Sequence, residues 1–282
     1  MQHTDENRLK ALLKLLQTET GSYGPVLKRE LAAAIAADPS RVQQVLQTEY
    51  QTQAPLPVLY TLEEICWEKL ATDFVCFASK INPDLEEGLT LLSKFTSPAV
   101  SRSSITQQLD EIARALRPLL LNAKTQAEIA HWLSHYLFQV RGLQTIPTPT
   151  DIREMSFARL LRTQKASALC VACLYVTIGL RYGLDINLID LAGRILVHLQ
   201  HPQRNESVFI DPLDRGKVLS EKDCRDYISE RQLAWNNEFL SPLSTRFIVR
   251  RFIANMIYAL NKVQDERRLK YLRGYLDIFT SN

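Results

Sequence analysis

KASALCVACLYVTIGLRYGLD (165–185), LAGRILVHL (191–199) and VFIDP (208–212) are the stretches on which the fold turns. Ala168–Leu180 is apolar except for Thr177 and Gly179. That run suits a buried helix and falls short of the roughly 20 residues a bilayer span needs. The pattern predicts one helix from Phe157 to Tyr182, ended by Gly183. INLID, RILVHL and SVFIDP then follow as short β-branched runs, separated by Ala192-Gly193 and by the polar loop QHPQRNE. They predict three adjacent antiparallel strands. A helix followed by strands over 155–212 is an α+β order.

Outward from this core the pattern is helical. Leu9, Leu12, Leu13 and Leu16 recur at helical spacing over 5–17, and Gly21, Gly24 and Pro25 interrupt it. A second helix is expected over 26–38, and Ser40 is the expected N-cap of a third, RVQQVLQTEY. Pro55 and Pro57 punctuate again. Amphipathic stretches follow at 61–80, 84–95, 104–121 and 125–140, with starts at Asp84, Ser104 and Thr125. Ser97-Pro98 reads as a break, and Pro118 as a point where the third stretch bends or stops. LQTIPTPTDIRE reads as a loop. Beyond Pro212, LDRG reads as a turn, and SEKDCRDYISERQ as a helix capped by its serine. Two closing helices are expected at 243–263 and 265–280. Leu269, Leu272, Leu276 and Phe279 give the second a tetratricopeptide-like cadence.

Of 282 residues, 46% are apolar, enough for a sizeable core, and only nine are glycine, which disfavours a glycine-rich all-β fold. A net charge of +3 is too small to name a polyanionic partner. The opening MQHTDENRLKALLKLL lacks the form of a secretory signal, so a cytoplasmic protein without membrane association is expected. Cys66, Cys76, Cys170, Cys173 and Cys224 are then expected to be reduced thiols.

The order of these signals resembles the SirB-type transglutaminase-like family. The three core stretches carry the resemblance, together with LEEGLTLLSKF at 85–95, the VRGL turn at 140–143 and the helices after FLSPLSTR. The resemblance implies a mainly α protein with a small α+β, papain-like core. It divides the chain into a helical region at 1–100, a transglutaminase-like core at 101–230 and a C-terminal helical region at 231–282. It also implies a Cys–His–Asp triad, with the thiol at a helix N-terminus, where the dipole and an imidazolium stabilise thiolate. Carried onto this chain, the nucleophile position falls on Ala168, the imidazole position on Arg194 and the aspartate position on Asp211. Alanine has no nucleophile, and arginine stays protonated at any workable pH. SirB-type proteins usually place proline at the first position and glycine two residues before it; here Ala166 stands instead of that glycine. Arg194 and Asp211 are candidates for an ion pair, or for an anion-binding pocket in which Arg194 faces a ligand carboxylate or phosphate.

A displaced triad would use Cys170 and His198. Two residues along a helix turn a side chain by about 200°. Four residues along a strand carry it about 13 Å. Both shifts oppose an intact site. Cys170-Val-Ala-Cys173 lies in an apolar run, where cysteine behaves as a small hydrophobe. His131 and His135 lack the glutamate of a metalloprotease helix. No cofactor or metal is expected. From Ser241 to Asn282 eight Lys or Arg face three Asp or Glu. Arg246, Arg250 and Arg251, then Arg267, Arg268, Lys270 and Arg273, form a solvated face or a docking surface for an acidic partner. No aromatic–basic interleaving points to nucleic acid.

The resulting expectation is a non-catalytic interaction or regulatory module, a pseudoenzyme, that binds an unidentified protein or a small anion near Arg194. Two alternatives are a thiol hydrolase or acyl transferase centred on Cys170, and a basic adaptor for an acidic partner or nucleic acid.

Overall fold

The computed structural model describes residues 2–18, 23–50, 54–201, 203 and 206–280. Gly21 and parts of the 200–206 loop lie outside them. The chain is mainly helical and divides into two compact units, Met1–Leu70 and Ala71–Asn282. No helix among the described residues is long and apolar enough to cross a membrane.

The first unit holds α1 (Gln2–Thr18), α2 (Gly24–Ala37), α3 (Pro39–Glu49) and the opening turns of α4 (Leu56–Ser79). Leu9, Leu13 and Leu16 meet Leu27, Leu31, Val42 and Val45 in one core. Asp38 caps α3 by accepting the Arg41 N–H at 3.0 Å, and Ser40 is inside the helix. Proline suits the first helical position, where its missing N–H has no intrahelical acceptor to lose. That moves the start two residues upstream of the expected serine.

The second unit continues through α5 (Leu85–Thr96), α6 (Arg102–Leu120) and α7 (Gln126–Ser134). Asp84 and Thr125 cap α5 and α7 as expected, whereas α6 is capped by Ser101 rather than Ser104. Pro118 lies inside α6, which runs two residues beyond it. After Ser134 the helix widens into a π-helical turn, His135–Val140. Gly88 brings α5 close to its neighbours: a Cβ there would stand 2.7 Å from Val249 and 2.9 Å from Phe77.

The expected single helix from Phe157 to Tyr182 is two helices. α8 (Phe157–Thr163) stops where Gln164 turns left-handed at φ 57°. β2 (Lys165–Ser167) follows and pairs in parallel with β1 (Gln144–Ile146), in the segment read as a loop. α9 (Ala168–Arg181) begins directly after it. Leu169–Gly179 is buried throughout, so α9 is wrapped on all sides, as its all-round apolar sequence demands.

α9 packs against a four-stranded antiparallel sheet of β3 (Asp185–Leu191), β4 (Arg194–Gln200), β5 (Ser207–Asp211) and β6 (Lys217–Leu219). The first three are the expected strands, and the three-residue fourth adds to them. Ile186 of β3 comes so near α9 that a Cβ on Gly179 would lie 2.7 Å from it. The opposite sheet face carries Ile189, Leu191, Leu196 and Phe209, which pack on Cys224 and Ile228 of α10 (Glu221–Glu230). A capping box at Ser220 and Asp223 starts α10.

α11 (Thr245–Val263) and α12 (Glu266–Ile278) close the chain. Leu269, Leu272 and Tyr275 form the buried side of α12, so Tyr275 takes the inward place expected of Leu276. Its ring lies 4.9 Å from Phe74 and 5.9 Å from Phe95, centroid to centroid.

Candidate functional site: an arginine-lined cavity at the start of α9

Three local devices bring separate segments together. The left-handed Gln164 and the β1–β2 pairing deliver Ser167 to the head of α9, where its hydroxyl accepts the Cys170 N–H at 3.4 Å. The hairpin between β3 and β4 turns on Ala192 and Gly193, both at positive φ (49° and 93°), as a two-residue primed turn requires. Asp190 accepts the Gly193 N–H at 2.6 Å and fixes that turn. Past β5, Asp211 accepts the Leu213 N–H at 2.9 Å, and its own carbonyl accepts from Gly216 at 2.8 Å.

These segments line a half-open cavity of about 580 Å³. Ser167, Ala168 and Leu169 form one wall; Ala192, Gly193, Arg194 and Ile195 form another. Leu213, Pro147 and Pro149 add an apolar rim. α10 contributes Tyr227, its C-cap residue Arg231 follows, and α11 contributes Arg251 and Asn255. Among the described residues no carboxylate lines it.

Each arginine is held by a different partner. Arg194 donates to the buried carboxylate of Asp211. Arg251 pairs with Asp190 at 3.2 Å and reaches the Gly193 carbonyl at 3.4 Å. Arg231 lies over the Tyr227 ring, 3.8 Å from its centroid, and Arg194 approaches the same ring at 5.0 Å. Tyr227 thus meets two guanidinium groups. The Nε of Arg194 is buried without a hydrogen-bond partner.

The thiols and His198 stand apart from this cavity. Cys170 is wholly buried and does not line the wall that Ala168 and Leu169 form. Burial pushes its thiol up to about 12, against a smaller opposite effect of Ser167. Cys173 is likewise raised by burial. His198 shares a sheet face with Arg194 by alternation but stacks on Phe209 at 4.6 Å. Burial lowers its pKa, opposed by the nearby Asp185 and Glu221, and neither ring nitrogen has a partner. His131 and His135 stack on each other at 6.1 Å. Among the described residues no three His, Cys, Asp or Glu gather where a metal ion could sit.

The family model described as the transglutaminase-like superfamily matches residues 103–254. The chain belongs to the transglutaminase-like superfamily. No curated protein and no solved structure matches it. The superfamily match runs from α6 into α11 and contains every residue lining the cavity except Asn255. Two of the three positions to which the resemblance assigned the transglutaminase-like triad, Ala168 and Arg194, line one cavity. The third, Asp211, joins it through Arg194.

Tyr227, Arg231 and Asn255 carried no signal in the sequence. Arg251 was visible only as one charge on a basic helix. The pairing of Asp190 with Arg251 joins groups 61 residues apart, a separation that no local pattern encodes.

Proposed function

We propose that this chain is a cytoplasmic, SirB-type member of the superfamily in which the triad cavity has become a binding site, so that the protein acts as a non-catalytic interaction or regulatory module. The observation that carries this reading is the pairing of Arg194 with Asp211 at the rim of a cavity whose helix-start position is Ala168. A thiol enzyme needs thiolate near neutral pH beside a base. Cys170 offers neither exposure nor ionisation, and Arg194 cannot take a proton. All five cysteines are free thiols, in keeping with a reducing compartment.

The basic adaptor reading draws less support. Arg246 donates to the carbonyls of Ala78 and Lys80, Arg251 pairs with Asp190, and Arg273 pairs with Glu266 at 3.2 Å. Much of the C-terminal positive charge is therefore engaged within the protein. The tetratricopeptide-like cadence of α12 is compatible with a protein partner docking on the closing helix pair.

The deciding experiment is iodoacetamide alkylation of the native protein from mildly acidic to mildly basic pH, followed by mass spectrometry. Exposed Cys76 serves as the internal control. Cys170 is expected to react only after unfolding. Fast reaction of Cys170 in the folded protein at the acidic end would overturn the non-catalytic reading.

A further inference from the structure

We infer that the cavity at the head of α9 binds a small molecule bearing a phosphate monoester on an apolar body. The inference rests on the reading of this site as a binding site.

Charge and donor count together select the ligand class. Among the described residues three guanidinium groups and no carboxylate line the cavity. Two of the three are matched from behind the wall: Asp211 pairs with Arg194, and Asp190 with Arg251. Arg231 makes no ion pair among the described residues and is held only against the Tyr227 ring. One full positive charge is left over. The first turn of α9, whose opening N–H groups have no intrahelical acceptor, adds about half a positive charge, and the C-terminal end of α10, capped by Arg231, about half a negative one, so the net stays at about +1. A carboxylate matches that charge but brings only two oxygens to three guanidinium groups. A phosphate monoester carries about −1.5 to −2 at neutral pH and offers three acceptor oxygens.

Donor geometry agrees. Arg194, Arg231 and Arg251 come from β4, the C-cap of α10 and α11, so guanidinium groups line the cavity from three elements, which suits an anion with three acceptor oxygens. Each is pre-positioned by Asp211, Tyr227 or Asp190, which lowers the entropy lost on binding. The rest of the wall is apolar, with Leu169, Ile195, Leu213 and two prolines. A volume of about 580 Å³ holds a small organic body as well as the phosphate.

The test is calorimetric titration of the full chain at low salt with phenyl phosphate, benzoate and inorganic phosphate. Phenyl phosphate is expected to bind at one site, more tightly than either of the others. Its affinity should fall as pH drops through about 6, where the monoester takes up its second proton. Arg231→Ala, at an exposed position, should weaken binding about ten- to hundredfold, the range for a charge-assisted hydrogen bond. An unchanged melting temperature of this variant shows that the loss comes from the site. Absence of saturable phenyl phosphate binding, equal binding of benzoate, or undiminished binding by Arg231→Ala each overturns the inference. Inorganic phosphate binding as tightly as phenyl phosphate overturns the apolar body. Fast alkylation of Cys170 with phenyl phosphate binding intact defeats the non-catalytic reading alone. Slow alkylation without binding defeats this inference alone.

Discussion

Arg194 and Asp211 meet across adjacent antiparallel strands, just beyond Val197 and Ile210, where the pairing of β4 with β5 ends. The carboxylate is fully buried, and the arginine is 29% exposed at the cavity. Removing the cation strands a buried charge that keeps one backbone donor. Arg194→Ala is therefore expected to cost about 3 kcal/mol, the low end of the range for breaking a buried pair. Urea unfolding at constant m-value measures it. Arg194→Leu combined with Asp211→Asn should recover most of the loss. Unchanged stability in the single variant contradicts the pair.

His198 predicts a pH dependence. Its folded pKa lies below its ordinary value near 6.5 because burial disfavours the imidazolium. The unfolded chain therefore binds the proton first, and stability falls as pH drops below about 6.5, levelling only once the folded pKa is passed. The full contribution is present above that window. His198→Phe keeps the stack on Phe209 and removes two unpartnered ring nitrogens. It should flatten this limb of the stability–pH curve. An unaltered slope just below pH 6.5 counts against the assignment.

Gly216 is fixed by two constraints. Its φ is +75°, and a Cβ would run into the Tyr175 hydroxyl and Ser134. Gly216→Ala should cost about 1–2 kcal/mol for the left-handed backbone and about 1–3 kcal/mol more for overpacking. Tyr175→Phe, which loses the 2.9 Å bond to Ser134, should cost about 1 kcal/mol. Thermal unfolding of the two variants tests the order. A Gly216→Ala protein as stable as the parent rules out the close approach.

Arg181 joins three helices. From the last turn of α9 it reaches Asp110 of α6 at 2.7 Å and Glu86 of α5 at 3.0 Å, and it is 19% exposed. Arg181→Met should lower stability by about 1–3 kcal/mol, as expected for hydrogen bonds to charged groups. Arg181→Lys should restore little, because an ammonium lacks the fork that spans two carboxylates. Full rescue by lysine would show that only the charge matters.

Helix and strand identity was readable because each signal was local. Asp84, Thr125 and Ser220 announced helix starts, and alternation in RILVHL announced a strand. The breaks that shape the cavity were not. Gln164 adopts a left-handed conformation without a glycine or proline to mark it, and β1–β2 pairing joins three-residue segments 21 positions apart. The π-helical turn after Ser134 keeps the apolar texture of the helix it extends. At the site, the Arg194–Asp211 relationship could be anticipated from strand order. The α10 and α11 contributions could not, because tertiary packing alone sets which faces of those helices meet the hairpin.

The sheet has only two free margins through which another chain could extend it. β3, at one margin, already accepts the Leu243 N–H at its Leu188 carbonyl (2.8 Å). β6, at the other, is three residues long and begins with a lysine. Short, covered or charged margins resist edge-to-edge pairing. Recognition by strand addition, and the runaway stacking of exposed ladders that leads to fibres, are both poorly served by this architecture.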